Sequence, residues 1–335
     1  MRVTAFWNSG APITSFYRII APGDAVKDQG GDVSIERFEL DTTKPWPAEV
    51  VVLPCPSNPV VVDAIPSLQA AGIAVVGDVD DHFGSVNARN TFFGAVSNVD
   101  LMRACRHADL VTVTTPALAD VYGQHGRVRI IPNHMPAEYL TVSAAEHDPL
   151  WVGWSGAVAW HPDDLQVTRG AVARAIDAER ADFALIGPPD RVAANLNLTR
   201  EMVASGPCDF YDYPEKLAEL DVGIVPLADS LFNRCKSALK VCEMAAVGVP
   251  AVVSPTPDNL RMNEAGIGLV AKRPRDWERQ LRRLITTPTL RYELAEQGRA
   301  VMAGLTIEGN AWRWAEAWND AYANHRALHR RRAIT

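Results

Sequence analysis

Residues 221–254 read DVGIVPLADSLFNRCKSALKVCEMAAVGVPAVVS. Asp221 opens the apolar run Val222-Gly223-Ile224-Val225-Pro226-Leu227, which reads as a buried strand. A polar loop, Ala228 to Asn233, leads into a helix over about Arg234–Val247. Gly248 stops that helix, and Val249-Pro250-Ala251-Val252-Val253 is the next strand. Two wholly apolar strands joined by a helix suit a parallel sheet covered on both faces, hence an α/β fold. At 100° per residue Asn233, Lys236, Lys240 and Glu243 fall on one narrow stripe, and Ala238, Val241, Cys242 and Ala245 on the opposite face. The apolar face must pack on the sheet, so the polar stripe begins just past the carboxyl end of a strand, where open α/β sheets bind ligands. Two ammonium groups there can neutralise a diphosphate, and a carboxylate a turn further on can accept hydrogen bonds from a ribose diol. Spacing alone favours the plainer alternative, an amphipathic surface helix with a solvated Lys/Lys/Glu face.

The run Asn233-x-x-Lys236-Ser237-x-x-Lys240-x-x-Glu243-x-Ala245-x-x-Gly248-Val249-Pro250-x-Val252-x-Ser254 resembles the donor-binding segment of retaining GT-B glycosyltransferases. More narrowly, it is similar to glycosyltransferase family 4 and its bacterial and phage-encoded relatives. The resemblance implies that Glu243, on the second Glu of that family's E-x7-E motif, holds the nucleotide ribose. The first Glu falls on Cys235, a departure that puts the usual sugar-hydroxyl contact in doubt and leaves Asn233 or Lys236 to substitute. The segment Val152-Gly153-Trp154-Ser155-Gly156-Ala157, with His161 and Asp164-Leu165, resembles the I-G-W-x-G-S-x-x-H-x-x-D-L stretch of the same relatives. A small-residue turn at Ser155-Gly156 beside a helix N-terminus suits phosphate. His161 joins the donor site on this resemblance, or only caps the helix starting near Pro162. The region Tyr211–Leu217 resembles the place where this fold receives the base. The glycines are too sparse for a dinucleotide fingerprint.

The chain has 335 residues, enough for two domains with separate cores. Its net charge of −7 argues against a general nucleic-acid or anionic-membrane binder. No apolar run approaches the roughly 20 residues of a membrane span. The start, MRVTAFWNSG, reads as a strand and carries no signal-peptide pattern. The five cysteines are widely spaced, which fits a reducing compartment, so a cytoplasmic location is expected.

Strands at Val3–Trp7, Val33–Ile35, Val50–Leu53, Ile73–Val76, Asp109–Thr114 and Val128–Ile131 alternate with helices, including one over Ser15–Val26 despite Pro22. The turn holding Gly10 is expected to line the acceptor side of a cleft. Asp78-Val79-Asp80-Asp81-His82 admits two readings. One is a D-x-D site holding a divalent cation against a sugar diphosphate. The favoured one is a cleft loop, with Asp80, Asp81 and His82 on the acceptor side and His82 orienting or polarising the acceptor hydroxyl. On that reading no metal is required, activity survives EDTA, and Asp78→Asn is mild. A linker over about 135–149 divides an acceptor domain, 1–140, from a donor domain, 150–305. A weaker strand signal lies at Cys208–Tyr211, and Gly266–Val270 reads as the last strand. A C-terminal helix over about 306–328, anchored by Trp314 and Trp318, is expected to cross back to the first domain. The basic end, Arg326–Arg332, reads as a solvated tail.

The resemblance implies a GT-B fold of two Rossmann-like domains and transfer of a sugar from a nucleotide-sugar to a hydroxyl acceptor (a glycan, lipid-linked sugar or protein) with retention. The donor is expected to be a UDP- or GDP-sugar, held by Lys236, Lys240 and Ser237 with the amides after Ser155, and no cofactor is expected. Lys236, Lys240 and His82 are the expected catalytic groups, and Lys240 is expected to face outward, so that Lys240→Ala leaves no cavity. Two alternatives stand beside this: a nucleotide-sugar-binding protein without transferase activity, and another GT-B enzyme such as a nucleotide-sugar 2-epimerase. A nicotinamide dehydrogenase is disfavoured by the missing glycine fingerprint.

Overall fold

The computed structural model describes residues 1–8, 12–38, 48–86, 96–160 and 162–332. Gly10 and His161, both expected at the site, lie outside the described residues.

Two six-stranded sheets, parallel throughout, account for the apolar runs. The first holds β1 (Arg2–Trp7), β2 (Asp32–Arg37), β3 (Val50–Pro54), β4 (Ala74–Val79), β5 (Leu110–Val113) and β6 (Val128–Ile130), in the order β2-β1-β3-β4-β5-β6. The second holds β7 (Trp151–Ser155), β8 (Asp182–Ile186), β9 (Val203–Gly206), β10 (Val222–Val225), β11 (Ala251–Val253) and β12 (Leu269–Val270), in the order β12-β11-β10-β7-β8-β9. Val50–Leu53, Ala74–Val79 and Val222–Val225 are buried at every position, as strands covered on both faces must be. Strand order reverses direction between β1 and β3 in the first sheet and between β7 and β10 in the second. Such switch points open crevices at the carboxyl ends of the strands.

Two strand expectations change. The ninth strand is Val203–Gly206, not Cys208–Tyr211. Residues 208–211 instead lead into the helix Tyr213–Ala218, and Phe210 packs on Phe16 from the first half at 4.3 Å. The last strand shrinks to Leu269–Val270, because Gly266 and Gly268 take φ of +90° and +76° and break the extended run.

The C-terminal segment is a short turn, Ile307–Asn310, followed by a helix, Trp312–Arg332, which lies against β3, β4 and β5 of the first sheet. Trp314 and Trp318 are both buried. The polar anchors are Tyr322, whose hydroxyl donates to Glu49, His325 beside the buried Asp109 carboxylate at 3.3 Å, and Arg129 paired with Glu316 and Asp320. Among the described residues no helix is long and apolar enough to cross a membrane.

Candidate donor site between the two sheets

The helix expected over Arg234–Val247 is two helices, Leu231–Cys235 and Leu239–Ala246. Lys236 between them is extended, at φ −64° and ψ 145°. Partners from elsewhere in the chain stabilise the break. Thr115 of the first half donates its hydroxyl to the Cys235 carbonyl at 2.8 Å. The buried Asp258 carboxylate accepts the Ala238 amide at 2.7 Å, and so caps the second helix. Gly248, at φ +85°, stops it where expected. Asn233 and Lys236 therefore do not share a helical stripe with Lys240 and Glu243.

Glu243 is 4% exposed, so the solvated-face alternative does not describe it. Its carboxylate accepts from two tyrosines, Tyr17 at 2.7 Å on Oε1 and Tyr213 at 3.3 Å on Oε2. Tyr17 comes from the first half of the chain. Its oxygen also lies 2.7 Å from the Tyr139 hydroxyl; with the Tyr17 proton on Glu243, Tyr139 is the donor of that second bond. Tyr213 touches Ser155 Oγ at 3.0 Å, at the end of β7. Burial pushes the Glu243 carboxyl up to about 7, against the opposing pull of the Tyr17 hydrogen bond and the Lys240 charge.

Lys240 does not project outward. Its ammonium donates to the Ser155 carbonyl at 2.7 Å and lies 5.4 Å from the centre of the Trp154 ring. Desolvation, followed by repulsion from Lys236, lowers it to about 8. A Cβ on Gly156, at φ +152°, would come within 2.9 Å of this ammonium and 2.7 Å of the Trp154 ring, so a larger residue would have to displace one of them. The Gly156 amide itself is taken by the Ile186 carbonyl, and is not free for a phosphate as expected.

Lys236 crosses to the first half. Its ammonium lies 3.6 Å from Asp81 Oδ1 and 4.6 Å from the centre of the Phe232 ring. Burial raises Asp81, and Lys236 opposes that shift. Next to it, burial and the neighbouring carboxylates of Asp81 and Asp78 push Asp80 up to about 7, with a hydrogen bond from Thr14 at 2.9 Å pulling the other way. The two residues read as donor side and acceptor side are thus brought into contact. His82 bonds through Nδ1 to Ser85 Oγ at 2.6 Å, in the same loop.

Asp78 belongs to the framework. Arg18 grips it in a bidentate pair at 3.0 and 2.8 Å, Thr112 donates at 2.6 Å, and acid and base are 3% and 1% exposed. Both oxygens already accept from Arg18 or Thr112, which disfavours Asp78 as a ligand of a D-x-D site. Arg18 continues to Asn133 at 3.2 Å, and Asn133 donates to Ser237 at 2.9 Å, which ties the candidate donor segment to the first sheet. Asn233 is 4% exposed and braces the loop before it, donating to Asp164 at 2.8 Å and to the Ala228 carbonyl at 3.0 Å. Its Oδ1 has no partner among the described residues. Cys235, in the place of the motif's first Glu, is 1% exposed and packs with Leu118, Tyr122 and Val113 of the first half, in surroundings that exclude a carboxylate.

Sequence reasoning missed Tyr17, Arg18 and Tyr139. Tyr17 and Arg18 both sit on a π-helical turn, Phe16–Ile20, immediately before the helix carrying Pro22. Such turns recur at functional sites, but nothing in the sequence marks this one, so these residues carried no sequence signal.

Residues 169–319 match the family model described as Glycosyl transferase-like. No curated protein sequence matches the chain. Among solved structures it is similar to sucrose-phosphate synthase from Thermosynechococcus elongatus, with a TM-score of 0.70 and 14% identity over 96% of this chain and 99% of that one. It is also similar to HepE of Anabaena, solved with UDP-glucose, with a TM-score of 0.69 and 13% identity over 94% and 98%. A glycosyltransferase from Rickettsia africae gives a TM-score of 0.68 and 10% identity over 96% and 98%. At these identities the likeness is one of fold.

Proposed function

From a chain with the GT-B fold and, over residues 169–319, a glycosyl transferase-like sequence, we propose a glycosyltransferase that moves a sugar from a nucleotide-sugar donor to a hydroxyl acceptor with retention and without a metal. The observation that carries this reading is the meeting of Lys236, Lys240 and Glu243 between the two sheets, with Lys236 opposite Asp81. In this reading the ribose hydroxyls replace Tyr17 on Glu243. The diphosphate takes Lys236 from Asp81 and draws on Lys240, whose charge grows more favourable as the leaving group develops negative charge. Asp80, Asp81 and His82 face the acceptor, and the chain divides into acceptor and donor domains near residues 140–150. UDP is the favoured base carrier, supported by the UDP-glucose bound to HepE. Retention is carried over from the resemblance at Asn233–Ser254. The lysine charges supply what a metal would, and the Arg18 grip on Asp78 supports this, because it disfavours Asp78 as a ligand of a D-x-D site.

The test is a thermal-shift screen over UDP-, GDP-, ADP- and dTDP-sugars, followed by transfer to an acceptor panel with EDTA present and NMR assignment of the product anomer. A donor at 100 times its Kd raises stability by about 2.7 kcal/mol. No shift with any nucleotide-sugar, or turnover only with added divalent metal, overturns the reading.

A further inference from the structure

Three consecutive residues of the second half, Cys235, Lys236 and Ser237, are each gripped by a residue of the first half. Thr115 donates to the Cys235 carbonyl at 2.8 Å, Asp81 faces the Lys236 ammonium at 3.6 Å, and Asn133 donates through Nδ2 to Ser237 Oγ at 2.9 Å. Asp81, Thr115 and Asn133 follow the carboxyl ends of β4, β5 and β6, which are neighbours in the first sheet. The break between the two helices is thus seated on the ends of three adjacent strands.

The Asn133 contact has a fixed polarity. Its Oδ1 accepts from Arg18 Nη1 at 3.2 Å. A guanidinium carries donors only, so the amide oxygen must face Arg18 and the NH2 must face Ser237. Arg18 is itself locked in place. Its Nε and Nη2 hold Asp78 at 3.0 and 2.8 Å, Nη1 also donates to the Ile131 carbonyl at 2.7 Å, and the side chain is 1% exposed. Ser237 Oγ is therefore an acceptor in this contact. A hydroxyl has one proton, and a hydroxyl that accepts from a fixed N–H keeps that proton for another group. Among the described residues the Ser237 hydroxyl donates to none. Arg18, Asn133 and Ser237 all direct their protons toward the second half, and bonds aligned in this way polarise one another.

Ser237 stands in the chain between Lys236 and Lys240, the two ammonium groups read as holding the diphosphate, and it is half-buried. An ionised phosphate oxygen accepts hydrogen bonds and does not donate them, so a hydroxyl whose proton is already aimed suits it. A plain clasp between the halves would use the same contact in either polarity, and would support the binding of base and ribose as much as that of phosphate.

We propose that Asn133 is a positioning residue for donor binding, which fixes the Ser237 hydroxyl as a hydrogen-bond donor to the diphosphate. The inference rests on the transferase reading above. It adds that the first half of the chain takes part in phosphate recognition through the proton of a residue in the second.

The test is a double-mutant cycle on the full chain with Asn133→Ala, Ser237→Ala and the double variant. The ligands are whichever of UDP-, GDP-, ADP- and dTDP-glucose wild type binds most tightly, followed by calorimetric titration, and its nucleoside, which has no phosphate, followed by saturation-transfer NMR. Asn133→Leu stands in if Asn133→Ala does not fold. Each single variant is expected to bind the nucleotide-sugar at least about fivefold more weakly. The double variant is expected to match Ser237→Ala within about twofold, because Asn133 acts only through that hydroxyl. Nucleoside affinity is expected to hold in all three. Additive losses in the cycle, unchanged nucleotide-sugar affinity in a folded Asn133 variant, or nucleoside affinity falling in step with that of the nucleotide-sugar overturns the proposal; the last result makes the contact a clasp. If wild type binds no nucleotide-sugar, the transferase reading falls and the proposal with it. If wild type binds one and the cycle shows no coupling, the proposal falls alone.

Discussion

The Tyr17 hydroxyl and the Glu243 carboxylate, from the two halves of the chain, share a buried hydrogen bond of 2.7 Å. A ribose diol would need the same oxygen. Tyr17→Phe removes the competitor but leaves one Glu243 oxygen and the Tyr139 hydroxyl short of a partner. A buried group left unsatisfied costs about 1–3 kcal/mol. The variant is therefore expected to melt lower than wild type without ligand, and to bind UDP-sugar up to about tenfold more tightly, since every 1.4 kcal/mol is tenfold. Calorimetric titration and thermal melts check both. Unchanged affinity with a lowered melting temperature would make Tyr17 a purely structural partner.

Donor affinity should have a narrow pH window. Glu243 sits at about 7 and Lys240 at about 8, each displaced chiefly by burial. Below 7 Glu243 is protonated and accepts poorly from a diol; above 8 Lys240 loses the charge that attracts phosphate. Affinity is expected to peak between these values. Glu243→Gln should remove the rising limb, and Lys240→Met the falling one. The stability effect has its own sign. The folded carboxyl lies above its ordinary value, so the folded state binds the extra proton, and Glu243 contributes less to stability as pH rises from about 4.5 through 7. Melting temperatures of wild type and Glu243→Gln should diverge in the variant's favour over that interval. A flat affinity profile from pH 6 to 9 removes both residues from the donor site.

Asp78→Asn, expected from sequence to be mild, should unfold the first half readily. The substitution leaves the Arg18 guanidinium 1% exposed and without its bidentate partner. Removing one member of a buried pair costs about 3–5 kcal/mol. Asp78→Leu with Arg18→Met should recover part of the loss, because an apolar replacement of both partners leaves no orphan charge. Urea denaturation of the single and double variants decides the matter; a loss under about 1 kcal/mol in Asp78→Asn would show the pair to be dispensable.

The strand–helix–strand unit at Asp221–Ser254 was legible because its strands are apolar without interruption, and Gly248 marks the helix end. Placing Lys236, Lys240 and Glu243 near one another was legible as well. The break at Lys236–Ala238 was not, because its partners, Thr115 and Asp258, are remote in sequence and nothing local forbids a continuous helix. The same limit hid Tyr17 and Tyr139, whose roles exist only once the two halves meet. Lys240 was read as outward-facing because helical periodicity reports on the helix's own sheet and not on a second layer; Trp154 and Ser155 enclose its other side.

Lys236 and Asp81 yield the sharpest test, because the two sides of the proposed reaction respond in opposite directions. Without a donor the ammonium faces Asp81 at 3.6 Å, with both side chains largely out of solvent, at 17% and 14% exposure. A diphosphate must draw Lys236 away from that carboxylate, and the freed Asp81 is then available to accept a hydrogen bond from the acceptor hydroxyl. Asp81→Asn removes the carboxylate that competes for Lys236, so donor affinity should rise or hold. The same change weakens the grip on the acceptor, where a hydrogen bond to a charged group is worth roughly 1.5–3 kcal/mol, so acceptor kcat/KM should fall about ten- to a hundredfold. Lys236→Met should do the reverse at the first step, weakening UDP-sugar binding by a similar factor. Titration of UDP-glucose and single-turnover transfer on each variant separate the two effects. If Asp81→Asn and Lys236→Met both weaken donor binding and leave acceptor dependence unchanged, the pair is a clasp between the halves and not a switch between substrates.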